Sequence, residues 1–106
     1  MRKVLLTLIV MVFATTAYAA DLSQSALQGD WVITEFHGSP EPDGDMWQFE
    51  GQNFYQNIAG RRMSPDAFTV SPAVIDLGYA KITVTRFDSK EMDATMAGFT
   101  YKLIKK

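Results

Sequence analysis

From Gly29 onward, apolar and polar residues alternate with a period of two, and Gly, Pro, Asn or Asp breaks the alternation every several residues. No other feature constrains the chain as much. A period of two puts successive side chains on opposite faces of an extended backbone, so each segment reads as a strand with one face to bury. Breaks this frequent leave only short strands joined by turns. Eight segments fit: Trp31–Phe36, Met46–Glu50, Asn53–Ile58, Phe68–Val70, Val74–Leu77, Lys81–Phe87, one carrying Met92, Ala94 and Met96, and one carrying Phe99, Tyr101 and Leu103. In the first, Trp31, Ile33 and Glu35 share one face, and Val32, Thr34 and Phe36 share the other. In the sixth, Ile82 and Val84 point inward, with Thr83 and Thr85 outward. The stretch Glu50–Asn53 reads as a two-residue hairpin turn with Gly51 in its first central position. The stretches HGSPEPDGD and GRRMSPDA read as longer loops.

The expected fold class is all-β: a small antiparallel up-and-down barrel or half-barrel of about eight short strands, with a sandwich as the alternative. Rolling up removes the open edges that invite pairing with other chains. Ahead of the strands, Asp21–Gln28 reads as a short N-terminal helical turn, with Ser23 as cap and Gly29 as stop. It is too short to stand alone, and plugging one end of the barrel gives it something to pack on. The inward set holds Trp31, Ile33, Trp47, Phe49, Ile82, Val84, Met92, Met96, Phe99, Tyr101 and Leu103. Eight strands of about five or six residues leave an interior that side chains fill. The expectation is a filled core with at most a shallow site at the open end.

The first 19 residues read as a signal peptide. Arg2 and Lys3 give a basic start, Val4–Ala14 an apolar run, and Ala17-Tyr18-Ala19 a cleavage site, with the cut after Ala19 or Ala20. The run is too short to span a bilayer, so no membrane span is expected once it is removed. Residues 20–106 then form a single small domain, periplasmic or secreted. The chain contains no Cys, which excludes disulfide staples, a lipid-modified N-terminus, a thiol nucleophile and a thiolate metal site.

Charge is unevenly spread. Asp21–Glu50 contains seven acidic residues and neither Lys nor Arg, whereas the chain from Gly51 onward has five acidic and eight basic residues. Net acidity argues against nucleic acid as a partner, since such binding rests on basic surface that neutralises phosphates. A split surface suits another protein.

The residues offer little for catalysis. His37 is the sole His and lies beside Gly38 and Ser39, where a nucleophile, base and acid from separate elements do not converge. The chain is read as a non-enzyme with no cofactor and no metal. Glu41, Asp43 and Asp45 read as a solvated turn around Asp43-Gly44, with Ca²⁺ binding as the alternative. Arg61 and Arg62 are the one adjacent Arg pair, and Arg forks bind carboxylates and phosphates. With Tyr55 near in sequence for apolar contact, these three are the candidate binding residues.

The opening ALQGDWVI resembles the Gly-x-Trp start of the lipocalins and of short bacterial lipocalin-like domains, through Gly29 and Trp31. The hairpin rhythm that follows, through FTYKLIKK as a closing strand, is similar over most of residues 20–106. The resemblance implies an up-and-down barrel whose Trp seals the closed end. Two differences accompany it: lipocalins are about twice as long, and they carry an Arg on the last strand where this chain offers Lys102, Lys105 and Lys106. The stretch Ala97–Tyr101 also resembles the Gly-x-x-Tyr segment of periplasmic c-type lysozyme inhibitors, through Gly98 and Tyr101. The expected function is an exported non-catalytic binding or inhibitor-type module. It would act on another envelope or extracellular protein through loops at one barrel end. The alternative is a small-molecule carrier with a shallow pocket lined by Trp47, Phe49 and Tyr55.

Overall fold

The structure, a computed structural model, describes residues 22–106, and the leader read at residues 1–19 lies outside them. One helical turn, α1 (Gln24–Leu27), precedes eleven strands. They are β1 (Gly29–Phe36), β2 (Ser39–Pro40), β3 (Met46–Glu50), β4 (Asn53–Ile58), β5 (Arg61–Arg62), β6 (Asp66–Ala67), β7 (Thr69–Ser71), β8 (Val74–Asp76), β9 (Lys81–Phe87), β10 (Glu91–Met96) and β11 (Phe99–Lys105). All pairs are antiparallel, in the order β5-β4-β3-β1-β11-β10-β9-β8-β7, with β2 on β1 and β6 on β4. The fold is all-β, and the sheet curls into a half-barrel. The strand count exceeds eight because β2, β5 and β6 are two-residue pairings inside the stretches read as loops. No helix among the described residues is long and apolar enough to cross a membrane.

The curl is held by the chain itself. β6 lies on β4 and β7 on β8, at opposite margins of the sheet, and only Phe68 stands between them. Its amide donates to Gln52 O at 3.0 Å, and its ring is buried edge-on against Phe49, 5.2 Å between centroids. The expected strand Phe68–Val70 therefore starts one residue later, at Thr69, because Phe68 serves as the seam.

Helix α1 closes one end. The Ser23 hydroxyl accepts the Ala26 N–H at 3.1 Å, satisfying one of the donors a helix start leaves free. Gln28 ties the turn to the β3–β4 hairpin: its Nε2 donates to Gly51 O at 2.9 Å, and its Oε1 accepts from Gly51 N at 2.7 Å. Leu27 is buried above Trp31, whose indole Nε1 donates to Leu27 O at 2.8 Å. Below this seal, Trp31, Trp47, Phe49, Phe54, Ile82 and Leu103 are fully buried and fill the interior. The core also takes in Leu22, Phe68, Ile75, Leu77 and Phe87, which the inward set omitted.

Two threonine bulges change which side chains face inward. In β1, Ile33 pairs with Leu103 but Glu35 pairs with Lys102, so Thr34 is the extra residue. Its hydroxyl donates to Lys102 O at 3.1 Å. After it the alternation reverses. Phe36, expected on the face opposite Ile33, instead packs on Tyr101, 5.2 Å between centroids. In β9, Ala94 pairs with Val84 and Asp93 with Arg86, which makes Thr85 the extra residue; its hydroxyl donates to Asp93 O at 3.2 Å. Phe87 is thereby turned inward against Trp31, at 5.6 Å.

The end opposite α1 is built from tight turns. His37-Gly38, Ala59-Gly60 and Ala97-Gly98 each join two paired strands, and every residue of the three pairs has positive φ. Turns of this hand match the twist of a hairpin, but a left-handed Ala carries a steric cost of roughly 1–2 kcal/mol. Asn tolerates that conformation better. Ala59→Asn and Ala97→Asn are each expected to raise stability by about 0.5–1 kcal/mol, read as a higher urea midpoint. A lower midpoint would show that the turns do not hold this conformation.

Candidate functional site

The interior is packed, so the candidate site is its open mouth. Three elements build it: the β1–β2 turn, the β10–β11 turn and the end of β4. The Thr34 bulge delivers two of its groups. It swings Phe36 to the inner face, and its carbonyl accepts the Glu41 amide at 2.9 Å. The Ile33 amide in turn donates to Asp45 O at 2.8 Å, which pins the far end of the acidic loop to the same strand.

Phe36 and Phe99 stack at the rim with centroids 5.3 Å apart, and they are 38% and 44% exposed. His37 packs edge-on against Phe99 at 5.3 Å. Its imidazole therefore belongs to an aromatic rim. Below the rim, Tyr101 lies 4.8 Å from Trp47, and burial pushes its phenol pKa up. Ile33, Phe36, Trp47, Gln56, Ile58 and Tyr101 surround a cup of about 200 Å³, with Glu41 and Asp45 beside it. Across Ile58 lies a second depression, of about 320 Å³, lined by Ile58, Ala59, Arg61 and Met63. Ile58 is 45% exposed between the two. Tyr79, from the β8–β9 turn, reaches Asp66 Oδ2 at 3.4 Å and also meets Gln56. Partial burial, then the Asp66 charge, raises its pKa.

The three candidates from the sequence do not form one site. Arg61 pairs with Ile58 and Arg62 with Asn57, and neighbours on a strand face opposite ways. Arg61 lies at the mouth and forms no ion pair among the described residues. Arg62 lies on the outer face over Tyr55, 3.9 Å from the ring centroid, and is ion-paired with Glu50. Its Nε donates to Gln48 Oε1 at 3.2 Å, and Gln48 Nε2 donates to Asp30 Oδ1 at 3.1 Å. The Glu50 hydrogen bond holds the Arg62 pKa above its ordinary value. Arg62 and Tyr55 thus belong to a network that covers the buried Gln48. Arg62→Ala is expected to lower the urea midpoint, while Arg61→Ala leaves it unchanged. Equal effects would show that the network adds nothing to stability.

Trp47, Phe49 and Tyr55, proposed as the walls of a carrier pocket, do not share a cavity. Trp47 is 1% exposed at the base of the cup, Phe49 packs on Phe54 and Phe68, and Tyr55 is outside. A wider groove of about 620 Å³ lies at the closed end between α1 and β7, with Ser23, Gln24, Gln52, Thr69 and Ser71 as its polar wall. Among the described residues no three His, Cys, Asp or Glu side chains converge as metal ligands would.

Phe36, Phe99 and Ile58 escaped the sequence reading as site residues, and Glu41 and Asp45, read as a turn with Ca²⁺ binding as the alternative, were not placed beside an aromatic cup. One local signal bore on two of them. Phe36 precedes His37-Gly38 and Phe99 follows Ala97-Gly98, and two tight turns on paired strands put both rings at one end. No protein-family model matches the chain, and no curated protein matches it.

Proposed function

We propose that the chain is an exported, non-catalytic binding or inhibitor-type module that docks another envelope or extracellular protein on the mouth of its half-barrel. One observation carries this reading. Two stacked phenylalanines stay more than a third exposed at the rim of a fold whose interior is filled. Rigid aromatic side chains beside a small recess are what protein interfaces use as anchors. The cup, at about 200 Å³, is smaller than the roughly 300–1,000 Å³ of small-molecule sites, which favours docking over carriage in that recess. The class we propose is the short bacterial lipocalin-like barrel. In its support, Lys105 Nζ lies 5.6 Å from the Trp31 ring centroid, on the last strand across from the Gly29-Asp30-Trp31 opening.

Photo-crosslinking in cells tests the docking reading. A photo-reactive phenylalanine analogue at position 99 is expected to capture one partner, and the same analogue at the exposed Ser25 position, on α1, is not. Capture from position 25 alone, or from neither, would overturn it.

A further inference from the structure

The cup has walls of two kinds. Its apolar side is aromatic: Phe36 and Trp47 both lie against Tyr101, with centroids 5.2 and 4.8 Å away. Its other side carries two carboxylates, Glu41 and Asp45, from the acidic loop. Asp45 is fixed there, because its Oδ1 accepts the Ala59 amide at 3.0 Å. Neither carboxylate is ion-paired to a Lys or Arg among the described residues. Arg61 opens into the separate depression beyond Ile58.

Aromatic faces attract cations through their quadrupole, and carboxylates attract them through charge. A recess with both, and with room for one side chain, fits a basic group on an apolar stem. Guanidinium suits it better than ammonium: it is planar, stacks on rings and meets carboxylates with a fork of N–H donors. We propose that the cup seats an arginine side chain presented by the partner protein, an inference that rests on reading the mouth as a protein-docking surface. The stem lies along Phe36 and Ile58, and the guanidinium sits over Tyr101, above the buried Trp47, with Glu41 and Asp45 at its edge. Asp43, exposed in the same loop between β2 and β3, adds a further charge of that sign beside the approach.

The test is a titration of the ¹⁵N-labelled protein with a capped pentapeptide, glycine at four positions and arginine at the centre. Shifts are expected at the Trp47 indole N–H and at the amides of Gln56 and Ile58, saturating in the millimolar range. The matched peptide with a central glutamate is expected to leave them unmoved. The double variant Glu41→Gln/Asp45→Asn is expected to weaken arginine binding about fivefold. Asn at 45 can still accept the Ala59 amide, so the loop keeps its anchor. Absence of arginine-peptide binding, binding indifferent to the double variant, or stronger binding of the glutamate peptide around Arg61 and Met63 would each overturn the inference. Crosslinking from position 99 alongside any of these results would leave the docking reading intact and remove only the arginine seat. No crosslinking there would remove the reading itself.

Discussion

Trp31→Ala is expected to cost about 3–5 kcal/mol, the range for emptying a buried aromatic site. The ring is fully buried, packs on Phe87 and lies under Lys105. Its Nε1 is also the donor that satisfies Leu27 O within the seal, so truncation removes a hydrogen bond as well as volume. A domain of this length carries roughly 4–13 kcal/mol in total. The variant should therefore lose between about a quarter and all of the domain's stability. Urea unfolding followed by far-ultraviolet circular dichroism reads the loss. Trp31→Phe keeps most of the ring but not the donor and is expected to cost about 1–2 kcal/mol. A loss below about 1 kcal/mol for the alanine variant would mean that α1 and the strands close without the indole.

The second large effect is expected at Gly29, where Gly29→Ala should cost about 1–3 kcal/mol. Two causes add. The residue sits at φ +120°, a conformation a side chain disfavours, and a Cβ there would lie 3.0 Å from Lys105 Cε. Lys105 can swing away, but doing so takes its ammonium from the Trp31 ring and from Ala26 O, 3.5 Å away. The two causes can be separated by a double-mutant cycle. In a Lys105→Ala background the crowding is gone and only the backbone cost remains. The cost of Gly29→Ala is then expected to fall by about 0.5–1 kcal/mol. An unchanged cost would assign the whole effect to backbone conformation. These two residues explain why a Gly precedes the Trp by two positions. The Gly lets the chain enter β1 at an angle no other residue favours and leaves space for the Lys that covers the Trp.

What could be read from the sequence follows the range of the interactions concerned. The Ser23 cap and the Glu50–Asn53 turn depend on neighbours within a few residues, and both were legible. Trp31, Trp47 and Phe49 are inward because no bulge separates them from the turn or neighbour that fixes their facing. Period-two alternation failed where a bulge intervened. Thr34 looks like any strand residue, and what makes it the extra one is its partner carbonyl on Lys102, 68 residues away. Nothing local marks that register shift, so Phe36 was put on the wrong face and the rim went unseen. The Arg pair misled for the opposite reason. Adjacency in sequence suggests a joint grip, but once Arg61-Arg62 pairs with β4 as a strand, the two must diverge. Glu41 and Asp45 were seen as a turn. Their place beside the cup depends on hydrogen bonds to β1 and to Ala59 that only the folded chain defines.

The half-barrel is filled by its own side chains, and on the reading proposed above its partner meets it at the mouth. Crystals of the protein pressurised with xenon test the filling most directly, since xenon enters dry apolar cavities large enough to hold it. No xenon is expected among Trp31, Trp47 and Phe54, and any bound atom is expected in a surface recess such as the cup beside Phe36 and Tyr101. A xenon atom in the centre of the fold would reveal an internal hollow and contradict the filled interior.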